Sequence, residues 1–263
     1  MKPAVTILLV LMGAAPALGQ SALRWCNATM WGPVAQAATW SKQYRAAYDV
    51  LGAGDVASAK KAKKQARRLL DDLLDACVSG PDGARMLSFA TYLLVVAEQR
   101  LGESDAASWH WQMAQFLAPE LREPPGDYPD VEAFLRAHST SAKRWELLRE
   151  RARGEPITMS LGPGDRDIPP EALKDHVTPP ALAHSAKPKR PSVGCGRNGL
   201  GVTIVETYID KTGIPREPTI YQGSGLLVLD VAAMEAVGQW RYKPALFAGK
   251  PIEVWFYPRV EFR

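Results

Sequence analysis

Apolar residues in the first half of the chain recur at spacings of three and four. Leu69, Leu70, Leu73, Leu74 and Cys77 fall on one stripe, the spacing that brings side chains onto one face of a helix. Residues 84–101 repeat the pattern with Leu87, Ala90, Leu94 and Ala97; residues 103–117 predict a third helix, and 131–151 a fourth and fifth. Clusters of β-branched residues and Gly-Asn turns are nearly absent, so residues 20–153 read as an all-α domain. The period stops at 154. Pro-Pro occurs at 169–170 and 179–180, with further breakers at Pro156, Gly162, Pro163, Gly164, Pro188 and Pro191. Residues 154–195 therefore read as a Pro/Gly-rich linker that cannot fold alone. At about 3.1 Å per residue its reach is on the order of 100 Å, which suits ends held on distant objects.

Beyond 199 the period changes to that of strands. Residues 202–210 are rich in Val, Ile, Thr and Tyr, and Asp210-Lys211-Thr212-Gly213 is a turn closed by glycine. Residues 214–221 predict a second strand, weakened by Pro215 and Pro218. Residues 229–240 predict a short helix with Leu229, Ala233, Val237 and Trp240 on its apolar side and Asp230 in its first turn. Residues 252–262 alternate. Ile252, Val254, Phe256, Val260 and Phe262 point to one face; Glu253, Trp255, Tyr257, Arg259 and Glu261 point to the other. The fold class is multidomain: an all-α domain, a Pro-rich linker and a small α+β domain over 196–263.

The start of the chain changes the compartment. Lys2 precedes an apolar run over 4–18, interrupted by Gly13 and Pro16, with Ala17 and Gly19 before Gln20. This is the form of a secretory signal peptide over 1–19. A spanning helix needs about 20 apolar residues, and this run is shorter and contains a proline; an uncleaved inner-membrane anchor is the alternative. The chain has 263 residues, 46% hydrophobic and 23% charged, with 32 basic and 28 acidic groups. That composition excludes a wholly disordered chain, and a net charge of +4 makes no case for nucleic acid. Three cysteines allow one disulfide. In an oxidising compartment the expected pair is Cys26–Cys77, because both lie in the helical domain while Cys195 lies beyond the linker.

Residues 199–263 resemble the C-terminal domain of the TonB family. The resemblance rests on Asp210 and Gly213 at the turn, Ser224-Gly225, Leu229-Asp230, Ala232-Ala233 and Val237. It continues through Trp240-Arg241-Tyr242, Pro244-Ala245, Gly249-Lys250-Pro251 and the closing Val260 and Phe262. These residues have structural explanations, as turn glycines and core contacts. The resemblance implies a non-enzymatic periplasmic protein of a Gram-negative bacterium, a coupler between an inner-membrane motor and outer-membrane transporters. Its domain would grip an extended peptide of a transporter or other envelope protein by strand addition. The final strand is then the expected contact edge, with Glu253, Trp255, Tyr257 and Arg259 facing the partner. A non-transducing scaffold whose domain only dimerises is the alternative. The chain departs from the family in lacking a histidine over 4–18 and in carrying Gly194-Cys195-Gly196 where a Tyr-Pro segment is usual.

Residues 88–119 are similar to one tetratricopeptide motif. Gly102 matches the turn, Ala107 and Ala114 the small contact positions, Trp111 the aromatic site and Pro119 the close; Val95 and Glu98 replace the usual glycine and tyrosine. A poorer match covers 40–70, with Gly54, Ala59 and Ala66. The resemblance implies an unknown protein partner for this domain.

Other patterns carry less. Residues 194–199 spell a dinucleotide fingerprint, but a Pro-rich segment precedes it and a strand follows, so no cofactor is expected. Ser58-Ala59-Lys60-Lys61 and Lys211-Thr212-Gly213 are similar to two motifs of penicillin-binding enzymes, but the third motif is missing. His110, His138, His176 and His184 form no close ligand pair, so no metal is expected. Residues 60–68 hold six basic groups in nine positions, which by default form a solvated helix face. Asn27-Ala28-Thr29 is a glycosylation sequon that an exported bacterial protein would not use.

Overall fold

The computed structural model describes residues 36–141, 144–146, 160–165, 177–191 and 201–263. The signal peptide, the sequon, Cys26, Cys195, His176 and the 194–199 glycine run lie outside the described residues. So does much of the expected fifth helix, of which 144–146 is helical.

The helical part has α1 (Ala37–Leu51), α2 (Val56–Asp75), α3 (Gly80–Arg100), α4 (Ser104–Leu117) and α5 (Pro129–Ala137). Local chemistry sets the starts. The Asp55 carboxylate accepts the Ser58 N–H at 2.8 Å to cap α2, and α3 opens with a proline, which has no N–H to leave unpaired. Short loops fold the chain back, so successive helices pack as antiparallel neighbours. α3 is buried on every side from Met86 to Glu98, the mark of a helix enclosed by its neighbours. Ala107, Ala114 and Trp111 are fully buried where α4 meets α3, and the Trp111 indole donates to the Leu135 carbonyl at 2.8 Å, tying α5 to the hairpin.

The described residues then hold ten strands: β1 (Ser160–Leu161), β2 (Val177–Thr178), β3 (Ala181–His184), β4 (Gly201–Ile209), β5 (Pro215–Gln222), β6 (Arg241–Lys243), β7 (Ala245–Phe247), β8 (Lys250–Ile252), β9 (Val254–Phe256) and β10 (Arg259–Phe262). Helix α6 (Leu227–Gly238) lies between β5 and β6. β4 is the centre of an antiparallel sheet. β5 pairs along one side of it, and β10 and β9 share the other. Phe256 opposes Thr207 and Arg259 opposes Ile204, so the register does not slip across Tyr257-Pro258. Ile252, expected to open the final strand, instead belongs to β8 and pairs with Ala245 of β7.

Gly213 is fixed twice over. Its φ is +87°, and a Cβ would stand 1.8 Å from the Tyr242 carbonyl oxygen, where the Tyr242 N–H returns a 2.9 Å bond to the Gly213 oxygen. Gly213→Ala should cost more than about 2 kcal/mol, read as a lower denaturation midpoint. An unchanged midpoint would contradict this account of the turn. Asp230 acts as a tether: it accepts the Ser224 N–H and the Thr203 hydroxyl, each at 2.7 Å, joining the loop, α6 and β4.

The segment read as a free spacer is not free where it is described. β1 pairs with β9, β2 with β7 and β3 with β6. Leu161 and Val177 cover a small core of Ala245, Ile252 and Val254, and the Ala186 carbonyl accepts the Trp240 indole N–H at 2.8 Å. A proline-rich chain shows no apolar period, yet isolated Leu and Val residues in extended conformation still pair and pack.

The two folded parts also share one apolar core. It runs from Trp40 and Leu87 through α6 to Val205, Val260 and Phe262. The sequence reading gave α6 one apolar side, but Val228 through Val237 are buried apart from the Asp230 tether. One face meets the sheet and the other meets the helical domain. The signal was present in Leu227-Val228-Leu229-Asp230-Val231-Ala232-Ala233-Met234, which is apolar nearly all round.

Candidate partner-binding site

The final strand offers two different halves. The Val205 N–H bonds to the Pro258 carbonyl at 3.0 Å, so residue 258 faces β4. Antiparallel alternation then turns the backbone groups of Glu253, Trp255, Tyr257, Arg259 and Glu261 to the opposite edge. At Glu253 and Trp255 that edge is occupied by β1: Ser160 stands opposite Trp255 and Leu161 opposite Val254. Along β10, which pairs with β4 on its inner side, no strand among the described residues pairs with the outer edge.

The expected contact residues are divided accordingly. Arg259 is exposed and Glu253 half-buried, with both backbone groups of Glu253 bonded within the chain. Trp255, expected to face outward, is only 8% exposed. The Arg144 guanidinium lies 3.9 Å above its ring, and Tyr208 meets it edge-on at 5.3 Å. Alternation assigns a side chain to a face of the sheet; it does not say whether something covers that face. Tyr257 is half-buried and donates its hydroxyl to Glu206 Oε1 at 3.1 Å. Glu206 is itself buried, accepting from Arg144 at 3.0 Å and from the Thr219 hydroxyl at 3.1 Å. Arg144 and Glu206 were not singled out by the sequence, because a lone Arg and a lone strand Glu carry no pattern.

A second polar cluster lies where α6 meets α2, α3 and α4. His110 Nδ1 is 2.6 Å from Glu98 and its Nε2 is 3.1 Å from Glu235. Arg67 pairs with Glu235, and Lys63 pairs with Glu98 and Glu103. Burial opposes charge on His110, but the carboxylates of Glu98 and Glu235 outweigh it and raise its pKa to about 9. Burial likewise opposes ionisation of Glu235, but His110 and Arg67 hold it down at about 2. Glu98 is one of the two residues that depart from the repeat pattern, and here it forms part of the junction. Lys63 and Arg67 belong to the basic run, so that face is not simply solvated. Trp109 rests against Gly238, where a Cβ would meet its ring at 2.5 Å.

The remaining sequence candidates are engaged elsewhere. The Ser58 hydroxyl donates to the Asp55 carbonyl at the start of α2, and Lys211 pairs with Asp165 at 2.9 Å in the β4–β5 turn region. The structure does not build a shared site from them. Gly225 and Gly249 adopt positive φ in turns. Ala233 and Leu229 are fully buried core residues. Cys77 is disulfide-bonded, and the other two cysteines lie outside the described residues.

Comparison with known proteins matches residues 196–263 to the family described as Gram-negative bacterial TonB protein C-terminal. The C-terminal segment is a TonB-family domain. Protein tonB2 of Pseudomonas aeruginosa is 28% identical over 80 residues, 30% of each chain. Protein TonB of Vibrio cholerae is 27% identical over 88 residues, 33% of this chain and 36% of that protein. The chain thus spans about a third of the length of the curated relatives it matches. No solved structure matches. Here the TonB domain is embedded: its helix α6 packs against the helical domain, and β1, β2 and β3 pair with its strands β9, β7 and β6. No helix of the described residues is long and apolar enough to cross a membrane.

Proposed function

We propose that this protein is a non-enzymatic adaptor of the bacterial envelope, exported to the periplasm. In this reading its TonB domain adds an extended segment of an outer-membrane transporter, or another envelope protein, to the final strand. The observation that carries it is the edge of β10, unpaired among the described residues and continuous in register with β9. An exposed strand edge presents backbone donors and acceptors in a row, which is the chemistry strand addition uses. The signal peptide over 1–19 is removed near Gly19–Gln20, leaving a helical domain to about 153, the connecting segment to 195 and the TonB domain from 196. The helical hairpins, read as tetratricopeptide-like, hold a second protein. Cys26–Cys77 closes the helical domain and contributes about 2–4 kcal/mol. Peptide mapping without reduction should recover Cys26 and Cys77 in one linked fragment.

Tyr257→Pro tests the docking edge. Alternation turns the Tyr257 N–H away from β4, so proline removes a donor from the outer edge without breaking the ladder to β4. Proline also costs the fold the hydroxyl bond to Glu206 and the edge-on ring contact with Tyr221 at 5.2 Å, whereas Tyr257→Phe removes the hydroxyl bond, about 1–2 kcal/mol, and keeps the ring. The proline variant should stay folded and capture envelope partners at least ten-fold more weakly than Tyr257→Phe. Equal capture by the two would remove the final strand as the docking edge and favour the dimer-only scaffold.

A further inference from the structure

We propose that the outer face of the α1–α2 hairpin docks on an anionic phospholipid surface; this goes beyond the adaptor reading and does not depend on the final strand. Lys42 and Arg45 of α1 and Lys60, Lys61, Lys64 and Arg68 of α2 are exposed, and none forms an ion pair or hydrogen bond among the described residues. Helix geometry puts them on one side. Tyr44, Ala47 and Leu51 of α1 and Ala62, Ala66 and Leu73 of α2 are fully buried toward the core. At about 100° per residue, Lys42, Arg45, Lys61, Lys64 and Arg68 then point away from it. The groove between the helices is lined by Gln43, Ala46, Gln65 and Arg68, and Gln43 donates to Asp72 across it at 2.8 Å, so the two halves form one surface.

The arrangement works against the free protein. The acids beside these six cations are Asp49 and the cap Asp55, so the face alone carries as much net charge as the +4 of the whole chain. Asp71, Asp72 and Asp75 lie at the far end of α2, where Lys189 and Gln43 engage them. Lys60 and Lys64, Lys64 and Arg68, and Lys61 and Lys64 are helix-surface neighbours of like sign, which repel. Both helices also oppose their own dipoles: neither has an acid in its first turn or a base in its last, and Asp49 and the three aspartates of α2 stand toward the C-terminal ends. An anionic surface would relieve both costs. The face also lacks what a protein partner uses. Val56 and Leu182 are the exposed large apolar side chains among the described residues, and only Val56 borders this face, one turn before Lys60. A protein interface concentrates its energy in buried aromatic or aliphatic anchors. Cations on flexible stems, with one valine at the hairpin tip, suit a diffuse layer of headgroup phosphates instead.

Vesicle flotation of the full exported chain tests this. The probes are vesicles of phosphatidylcholine alone and vesicles in which a third of the lipid is phosphatidylglycerol. The chain should float with the anionic vesicles only, and raising salt from about 0.15 M to about 0.5 M should release it, because screening then acts within less than ~8 Å. Lys61→Gln with Lys64→Gln should weaken the binding at least ten-fold. Lys243→Gln with Lys250→Gln removes the same charge from exposed positions of the TonB domain and should weaken it less than about two-fold. Both pairs are exposed, so each variant should keep the parent's denaturation midpoint; if the α2 pair does not fold, Lys42→Gln with Arg45→Gln on α1 takes its place with the same expected loss. Three results would overturn the proposal: no preference for the anionic vesicles, equal losses in the α2 and TonB-domain variants, or tighter binding to soluble poly-glutamate than to the anionic vesicles. The last would assign the face to an acidic polypeptide.

Discussion

Val254→Asp should abolish the fold of the C-terminal domain. Val254 is 1% exposed, opposes Ile209 on β4 and Leu161 on β1, and fills the small core with Ala245 and Ile252. A carboxylate there has no cationic partner in that core, and leaving a charge unpaired inside costs several kcal/mol even after it shifts toward the neutral form. A loss on the order of 4 kcal/mol is a large share of the stability of a domain this size. Val254→Ala creates only a cavity and should cost about 2 kcal/mol. Amide spectra of the two variants decide the matter: dispersed resonances for the TonB domain in Val254→Asp at the parent's denaturation midpoint would contradict the packing described.

The second large effect is expected at the junction. Glu235→Ala removes the carboxylate that Arg67 and His110 share, leaving a buried imidazolium with Glu98 alone. Breaking one partner of a buried ionic cluster typically costs about 3–5 kcal/mol. The pH dependence follows from the two shifted groups. His110 is raised from 6.5 to about 9, so its contribution is complete below 6.5 and is lost as pH rises through 9. Glu235 is lowered from 4.5 to about 2, so its contribution is complete above 4.5 and is lost as pH falls through 2. Docking of the two parts should therefore be strongest between about 4.5 and 6.5 as far as these groups decide it. Calorimetric midpoints across pH should show an acid limb that Glu235→Ala removes and an alkaline limb that His110→Gln removes. Parallel curves for parent and variants would refute the cluster's role.

Long periodic helices were legible because burial of one helix face leaves a repeating mark. The stripe at Leu87, Ala90, Leu94 and Ala97 recovers α3 to within a few residues, and Ala107, Trp111 and Ala114 recover its contact with α4. The β4–β5 turn was legible because only glycine fits at 213. Contacts between distant parts left weaker marks. Glu98, Lys63, Arg67, His110 and Glu235 are scattered over four helices, and no spacing rule joins them. The clearest hint was the break in the repeat pattern at Glu98. Trp255 was misplaced because alternation cannot report the cover supplied by Arg144. Ser160, Leu161 and Val177 were passed over because prolines and glycines surround them, and pairing with a distant strand needs no local period.

The account stands or falls on what touches β10 in the cell. A photo-crosslinking residue placed at Glu261, whose backbone faces the open edge, can be activated in intact cells making the full chain. The account predicts an adduct with an outer-membrane transporter or another envelope protein, lost in the Tyr257→Pro background. An adduct made only with a second copy of this chain, or none above the level from an exposed helical position such as Lys61, would contradict it.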